Sequence, residues 1–227
     1  VLQQLHDSRE QLDDLWNTRK LKLDLCLQLR LFERDALEVS SQLQLWAEEL
    51  QHLDLSTDLN KAEQYLQLHN ESVQHMQNCV FDVIQRGQDL CQVFEQSGLQ
   101  LMADSQYDAP TRIQVMLEFL HEKEMDLEDL AEQKRLKLEQ CVHLRQYEIE
   151  ARQVIAWVRN GESMLTAGLV CPNSLHEAEQ LKKEHEQFQL AIEKTHQLAV
   201  QVTQHAEQML QTNHYNSELV RSIAENI

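Results

Sequence analysis

The sequence of 227 residues predicts an all-α fold: tandem three-helix bundles joined by continuous helices into an elongated rod. Three observations support this fold: an internal repeat, a shortage of turn-forming residues, and apolar residues that recur at spacings of three and four. The chain has only four glycines and two prolines, although strands and tight turns need both residue types. Aromatic residues make up 5% of the chain, which is typical of long helices that each bury one apolar stripe.

The internal repeat has a period of about 115 residues. Residues 1–30 reappear, with substitutions, as residues 116–145. The matched positions include Leu5 and Leu120, Leu12 and Leu127, Leu15 and Leu130, and Cys26 and Cys141. A unit of this length is too long for short solenoid repeats and fits three long helices. We therefore divide the chain into the end of the last helix of a preceding repeat (1–18), a complete repeat (19–133) and a second repeat with a truncated third helix (134–227).

Two of the helical patterns are unusually long. One runs from Leu2 to Glu49 and the other from Thr111 to Ala167, and neither contains a proline or a turn cluster. A helix of about 55 residues is roughly 80 Å long at 1.5 Å per residue. Since that length exceeds a single bundle, we expect each long helix to leave one bundle and enter the next.

The second and fourth helices show the same 3-4 spacing. A stripe in the second helix and its copy 116 positions later in the fourth are predicted to be the seams of left-handed bundles. The two stripes are Ala62, Tyr65, His69, Ser72, Met76, Cys79, Val83, Arg86, Leu90 and Val93, and Ala178, Leu181, His185, Phe188, Ile192, Thr195, Ala199, Val202, Ala206 and Met209. Both helices are therefore expected to be equivalent elements of successive repeats.

Capping residues predict where the helices begin. Asn60 and Ser174 offer N-terminal caps, and Ser174 also begins a capping-box pattern. Asp108-Ala-Pro110 predicts another helix start, because proline is tolerated in the first turn. A last, shortened helix is expected from Asn216.

The four glycines have two expected roles. Gly98 and Gly168 lie where helices should end. Gly87 and Gly161 lie inside helical patterns, where each is expected to weaken its helix by about 1 kcal/mol relative to alanine.

Charge and cysteine content limit the possible partners. The formal net charge of −18 argues against nucleic acid and anionic lipid, because both bind clustered Lys and Arg. No stretch approaches the roughly 18 apolar residues that span a bilayer, so we expect no direct membrane insertion. The five cysteines are odd in number and lack a CxxC pair. We interpret them as small buried hydrophobic residues in a reducing, cytoplasmic compartment.

The sequence contains no motif for catalysis, cofactor binding or metal binding. It has eleven histidines, but no two stand four residues apart, as a helical zinc site requires. We find no GxGxxG, phosphate-binding loop or complete nucleophile elbow. We therefore expect no enzymatic activity, cofactor, metal or small-molecule substrate. His69 and His185 hold matching stripe positions and are expected to be hydrogen-bonded and partly buried.

One apolar cluster is a candidate for binding another protein. It lies in the connector after the second helix and consists of Leu99, Leu101, Met102 and Tyr107. Connectors are normally polar, so this cluster either packs back onto its bundle or forms a partner patch. Basic clusters at 19–22 and 134–137 have two interpretations as well: an anionic docking point, or neutralisation of neighbouring carboxylates through short-range helical pairs, which we favour.

Particular residues resemble the spectrin-repeat family. Trp46 and Trp157 lie late in the first helix of each repeat, where that family carries a tryptophan. Leu181-Lys-Lys-Glu-His185-Glu-Gln-Phe188 is similar to the second-helix pattern of the family. One departure is an extra helical turn in the first repeat, where 14 positions separate Phe32 from Trp46 but 10 separate Tyr147 from Trp157.

The amino-acid sequence is also similar to the spectrin repeats of the Trio and kalirin family of Rho guanine nucleotide exchange factors. Stretches 12–20 and 159–165 carry this resemblance. It implies a non-catalytic spacer and docking scaffold whose partners are other proteins and neighbouring repeats, and which contributes to restraint of exchange activity. The exchange-catalysing modules of that family lie outside the repeats. The alternative is an actin-associated or self-associating structural rod of the spectrin and dystrophin kind, which the flanking sequence would distinguish.

Overall fold

Five helices make up most of the chain in the computed structural model, which describes residues 2–98, 101–102, 108–168, 171–212 and 214–227. The helices are α1 (Leu2–Gln51), α2 (Leu59–Ser97), α3 (Ala109–Thr166), α4 (Leu175–Gln211) and α5 (Ser217–Ala224). Within these described ranges, β pairing is limited to one isolated antiparallel bridge between Met102 and Asp108. The predicted all-α class is confirmed, and so are both long uninterrupted helices.

The caps of α4 and α5 are the predicted ones. The Ser174 hydroxyl accepts a hydrogen bond from the Glu177 N–H at 3.2 Å. The Asn216 side chain accepts one from the Leu219 N–H at 3.3 Å. Each cap satisfies one of the backbone N–H groups that the first turn of a helix leaves unpaired.

The start of α2 differs from the prediction, and its end agrees with it. Asp58, rather than Asn60, is the cap, since its carboxylate accepts a hydrogen bond from the Lys61 N–H at 3.0 Å. Two cap-forming residues stand two positions apart here, and spacing alone does not choose between them. Gly98 and Gly168 follow α2 and α3 with φ angles of 62° and 78°, the left-handed conformation that glycine adopts without a Cβ penalty.

The chain divides into two units, and unit 1 consists of the described residues up to Leu53 together with Gln67–Arg135. Its core takes one face from each of α1, α2 and α3. The buried residues are Leu25, Leu29, Phe32, Ala36, Val39, Leu43, Met76, Val80, Val83, Leu90, Phe94, Ala109, Ile113, Leu120 and Leu127. Three helical stretches around one apolar core form the expected three-helix bundle.

Unit 2 consists of Asp54–Leu66 and Leu136–Ile227. Its core is smaller because α5 provides only one buried side chain, that of Val220. The buried residues of the cluster are Leu144, Tyr147, Ala151, Val154, Val202, Ala206, Met209 and Val220. Apolar burial in unit 2 is therefore concentrated where α3, α4 and the short α5 run together.

The seam of α2 corrects the predicted stripe. The buried positions after Met76 are Val80, Val83, Gly87, Leu90 and Phe94. The predicted stripe used Cys79, Arg86 and Val93 instead, and Val93 is 44% exposed. Adjacent apolar pairs such as Cys79-Val80 satisfy either phase of a 3-4 pattern, so the spacing left the phase undetermined.

The predicted stripe of α4 is correct only in its second half. Its fully buried members begin at Thr195, whereas Leu181 and Ile192 are 43% and 41% exposed. The predicted stripes also assumed that positions of α2 correspond to positions of α4 at a shift of 116 residues. The buried residues correspond at a shift of 119 instead: Met76, Val83 and Leu90 align with Thr195, Val202 and Met209.

The interpretation of the cysteines as buried hydrophobic residues holds only in part. Cys141 is buried, and its Sγ donates to the Ser56 carbonyl oxygen at 3.3 Å. Cys26 and Cys171 are exposed, so the interpretation is wrong for these two residues. Cys26 lies on the outer face of α1, one position past the buried Leu25.

Candidate docking surfaces

The predicted connector patch is partly described. Leu99 and Tyr107 lie outside the described residues. Leu101 is half-buried and packs against the core of unit 1, whereas Met102 is 68% exposed. The two central residues of the patch thus face opposite environments: one anchors the connector and the other is available to a partner.

Leu101, the neighbour of Met102, is hydrogen-bonded to the start of α3. The Ala109 N–H donates to the Leu101 carbonyl oxygen at 2.8 Å. The Asp108 carboxylate accepts a hydrogen bond from the Thr111 N–H at 3.0 Å. The hydroxyl and N–H of Thr111 hold the pKa of Asp108 below its ordinary value, because both hydrogen-bond the charged form. Met102 therefore lies beside the start of α3, where it also pairs with Asp108 in an isolated bridge.

A second exposed apolar surface lies on the amino-terminal part of α1. Five large apolar side chains point into solvent over its first four turns. They are Leu2, Leu5, Leu12, Leu15 and Trp16, with exposed fractions of 85%, 63%, 66%, 67% and 63%. Lys20 Nζ lies 5.5 Å from the ring centroid of Trp16, within cation–π range. We call this surface the α1 face.

A third surface is an open groove in unit 2 between the end of α3 and the first half of α4. One section has a volume of about 330 Å³ and reaches from Ile227 to Leu165 and Phe188. The adjoining section of about 840 Å³ shares these last two residues and continues to Leu181. Apolar side chains dominate its floor. We call this surface the unit 2 groove.

The floor of the unit 2 groove is built on an aromatic pair. The rings of Trp157 and Phe188 stack with centroids 5.9 Å apart. A Cβ built on Gly161 would lie 3.2 Å from the edge of the Phe188 ring. Gly161 thus leaves room for the Phe188 ring. The sequence alone indicated only that this glycine weakens its helix.

Two residues of the basic cluster at 134–137, Lys134 and Arg135, make local contacts in unit 1. The Arg135 guanidinium pairs with the Glu132 carboxylate at 2.7 Å. Lys134 Nζ donates to the carbonyl oxygen of Glu49 at 3.0 Å, near the end of α1, where the helix dipole stabilises a cation. These contacts favour local neutralisation over an anionic docking point.

His69 occupies the predicted kind of environment. It is buried in unit 1, and its Nε2 lies 3.0 Å from the Ala131 carbonyl oxygen, so this nitrogen carries the proton and donates. Burial lowers the pKa of His69, because it disfavours the charged imidazolium. The matching prediction for His185 is wrong, since that residue is exposed on the first half of α4.

His214 is a buried histidine that sequence reasoning missed. Its Nε2 donates to the Gln140 carbonyl oxygen at 2.8 Å, and its Nδ1 accepts from the Asn216 N–H at 3.1 Å. Burial lowers the pKa of His214, and the neutral ring is the form that makes both bonds. Its position in a short connector, outside any helical stripe, gave no periodic signal.

Metal binding and membrane crossing can be checked on the described residues. Among them, no group of three or more His, Cys, Asp or Glu side chains could hold a metal ion. In the same part of the chain, no helix has both the length and the apolar character needed to cross a bilayer. The features that stand out in the described structure are surfaces for packing against other helices or proteins.

Two family models, both of spectrin repeats, match successive parts of this chain. Residues 28–131 match the family described as Kalirin-like, spectrin repeats. Residues 142–227 match the spectrin repeat family. A mouse relative, guanine nucleotide exchange factor DBS, is 24% identical over 225 residues, which cover 92% of this chain and 19% of the relative. The chain thus spans about a fifth of the length of that curated relative.

Proposed function

We propose that this chain, which belongs to the spectrin-repeat family, is a non-catalytic spacer and protein-docking segment of a cytoplasmic, multidomain Rho-family guanine nucleotide exchange factor. The match of residues 28–131 to kalirin-like repeats carries this proposal. The similarity to a mouse exchange factor over most of the chain supports it. Spectrin repeats are protein-interaction modules and are typically structural, so the partners we expect are other proteins and neighbouring repeats.

The helices support a spacer role. α3 is 58 residues long and supplies residues to both units without interruption. A straight helix of that length extends about 87 Å at 1.5 Å per residue. A helical connection is also stiffer than a Gly/Ser-rich linker. These properties suit a segment that spaces other modules.

The exposed apolar residues support a docking role. Met102 is 68% exposed next to the half-buried Leu101, and we propose that it binds a partner protein together with Leu99, Leu101 and Tyr107. An exposed apolar side chain in a connector, where polar residues are usual, is a candidate contact for a partner.

We further propose that the repeats contribute to restraint of exchange activity. The test is the rate of nucleotide exchange on a Rho-family GTPase, measured with the adjoining exchange module alone and with the module joined to this chain. We expect the joined protein to be slower and the chain alone to leave the spontaneous rate unchanged. Equal rates for the joined protein and the free module would overturn the restraint.

The flanking sequence tests the broader assignment. Exchange modules on the same polypeptide agree with the proposal. Calponin-homology domains in their place would contradict it and would indicate an actin-associated rod instead.

A further inference from the structure

Unit 1 carries two exposed apolar side chains beside the groove between α2 and α3. Phe81 of α2 is 63% exposed and Met125 of α3 is 57% exposed. The two helices run antiparallel and are linked here by the Gln77 amide, which donates to the Glu128 carboxylate at 3.2 Å. Phe81 lies four positions after Gln77, and Met125 lies three positions before Glu128. Both side chains are therefore on the groove side of their helices and at the same level of the bundle. We call this pair and the residues around it the α2–α3 face.

The residues around this pair differ in charge between the two helices. Positions three, four and seven residues from Met125 lie on its side of α3. They are Glu118, His121, Glu122, Glu128, Asp129 and Glu132. Lys123 is the only basic residue between 118 and 132, and its Nζ lies 5.9 Å from the centroid of the Phe119 ring, on a different side of α3. The corresponding positions around Phe81 are uncharged: Gln74, Gln77, Asn78, Ile84, Gln85 and Gln88. The α2–α3 face is thus apolar at its centre and acidic along one side.

A cavity opens between the same two helices at one end of this face. It has a volume of about 300 Å³, and its apolar lining comes from Val73 and Ala131. From Asn70, which lines the cavity, to Gln88 beyond Phe81, α2 extends about 27 Å, the length of a helix of about 18 residues. All of these residues belong to unit 1, where three helical stretches enclose the core. The face therefore offers room for a helix and an opening for one anchoring side chain.

We propose that the α2–α3 face binds a basic, amphipathic helix of a partner protein. The apolar side of that helix covers Phe81 and Met125 and places one side chain in the cavity, while its Lys and Arg residues face the carboxylates of α3. A second copy of this chain is a poor occupant, since each copy carries a formal net charge of −18. The inference goes beyond the proposed docking role of the connector patch around Met102, which is a separate surface, and it does not depend on an exchange module.

Fluorescence anisotropy of a labelled peptide tests this binding. The probe is a peptide of about 18 leucines and lysines with all leucines on one helical face. A control peptide has the same composition in an order that gives no apolar face. We expect the probe to bind the 227-residue chain, more weakly as salt is added, and the control peptide to bind at least about tenfold more weakly than the probe. Equal binding of both peptides, or no binding of the probe, would overturn the proposal.

Matched variants of the chain locate the bound peptide. Phe81→Ser/Met125→Ser removes the apolar pair, and Leu37→Ser/Leu45→Ser removes two side chains of α1 that are 63% and 65% exposed. We expect the first variant to bind the probe at least about tenfold more weakly and the second to bind it like the wild type. All four side chains are exposed, so both variants should keep the helical circular-dichroism signal of the wild type. Equal affinities of the two variants for the probe would contradict the proposed surface.

Two variants of equal net charge test the acidic side of the face. Glu122→Gln/Asp129→Asn removes two exposed carboxylates next to Met125, and Asp7→Asn/Asp14→Asn removes two exposed carboxylates from α1. At low salt we expect the first variant to bind the probe several-fold more weakly and the second to stay within about twofold of the wild type. Equal weakening by both variants would mean that the probe responds only to the overall charge of the chain, which would overturn the proposal.

Discussion

The cores of the two units are similar at one end and differ at the other. Phe32 in unit 1 and Tyr147 in unit 2 are both fully buried, at equivalent positions of the repeat. In unit 1 burial continues along the bundle to Leu43, which is 2% exposed. In unit 2 burial reaches Val154, but Val158 and Leu165 beyond it are 41% and 57% exposed.

The length of the third helical stretch explains this difference. In unit 1 the first half of α3 accompanies α1 and α2 and contributes buried residues as far as Ala131. In unit 2 the short α5 contributes Val220 and ends at Ala224. An apolar stripe at helical spacing thus determines which face can be buried, but a neighbouring helix determines whether it is buried.

The largest expected effect is a difference in the free energy of unfolding between substitutions of two leucines at the same repeat position. Leu120→Ala leaves a cavity in the core of unit 1 and should lower the free energy of unfolding by about 2–5 kcal/mol. Leu5→Ala removes an exposed side chain and should change it by no more than about 0.5 kcal/mol. Urea denaturation at low protein concentration measures both. Similar losses for the two variants would mean that the α1 face is covered within a single chain.

An intermediate effect is expected at the two glycines within helices. A Cβ on Gly87 would lie 2.7 Å from the Phe32 ring and from Leu117. Since Phe32 is fully buried, Gly87→Ala should destabilise by about 1–3 kcal/mol through overpacking, despite the better helix propensity of alanine. Gly161→Ala approaches only the edge of Phe188, a half-buried ring beside an open groove that can shift.

We therefore expect Gly161→Ala to be neutral or to stabilise by up to about 1 kcal/mol. Thermal unfolding of the two variants side by side gives the comparison. The comparison would fail if Gly87→Ala stabilised the protein. It would also fail if Gly161→Ala destabilised it as much as Gly87→Ala does, because the two glycines would then be equally tightly packed.

The smallest expected effect is a pH dependence contributed by one histidine in each unit. Burial lowers the pKa of His69 and of His214 from 6.5, so the unfolded state binds more protons between the lowered values and 6.5. The stability that each neutral ring contributes is fully present above pH 6.5. It declines as the pH falls from 6.5 towards the lowered pKa.

His69→Gln and His214→Gln should each reduce this decline, because an amide can donate the same hydrogen bond without taking up a proton. The free energy of unfolding, measured at about pH 7.5 and about pH 5.5, tests the effect. A variant that loses as much stability on acidification as the wild type would contradict the role of its histidine.

The helices and their family were predictable because their signals are local. The shortage of glycine and proline, the Ser174 and Asn216 caps and the glycines after α2 and α3 all act within a few residues of their positions. The spectrin-repeat resemblance carried by Trp46 and Trp157 is confirmed by matches over most of the chain.

What the sequence left undetermined depends on contacts between distant residues. The choice between Cys79 and Val80 for the seam, and the need for glycine at position 87, depend on how α2 packs against Phe32 and Leu117. The exposure of His185 and burial of His214 depend on which helix lies opposite each residue. The docking role of the connector patch around Met102 stays a prediction.

Hydrogen–deuterium exchange along the internal repeat tests the central claim most directly. Residues 2–22 and 117–137 carry matching sequence patterns, but only the second stretch is packed in a core. At low protein concentration we expect backbone amides of 2–22 to exchange much faster than those of 117–137, since unpacked helices open readily. Equal protection of both stretches at that concentration would contradict the claim that a neighbouring helix, rather than the apolar pattern itself, stabilises each repeat.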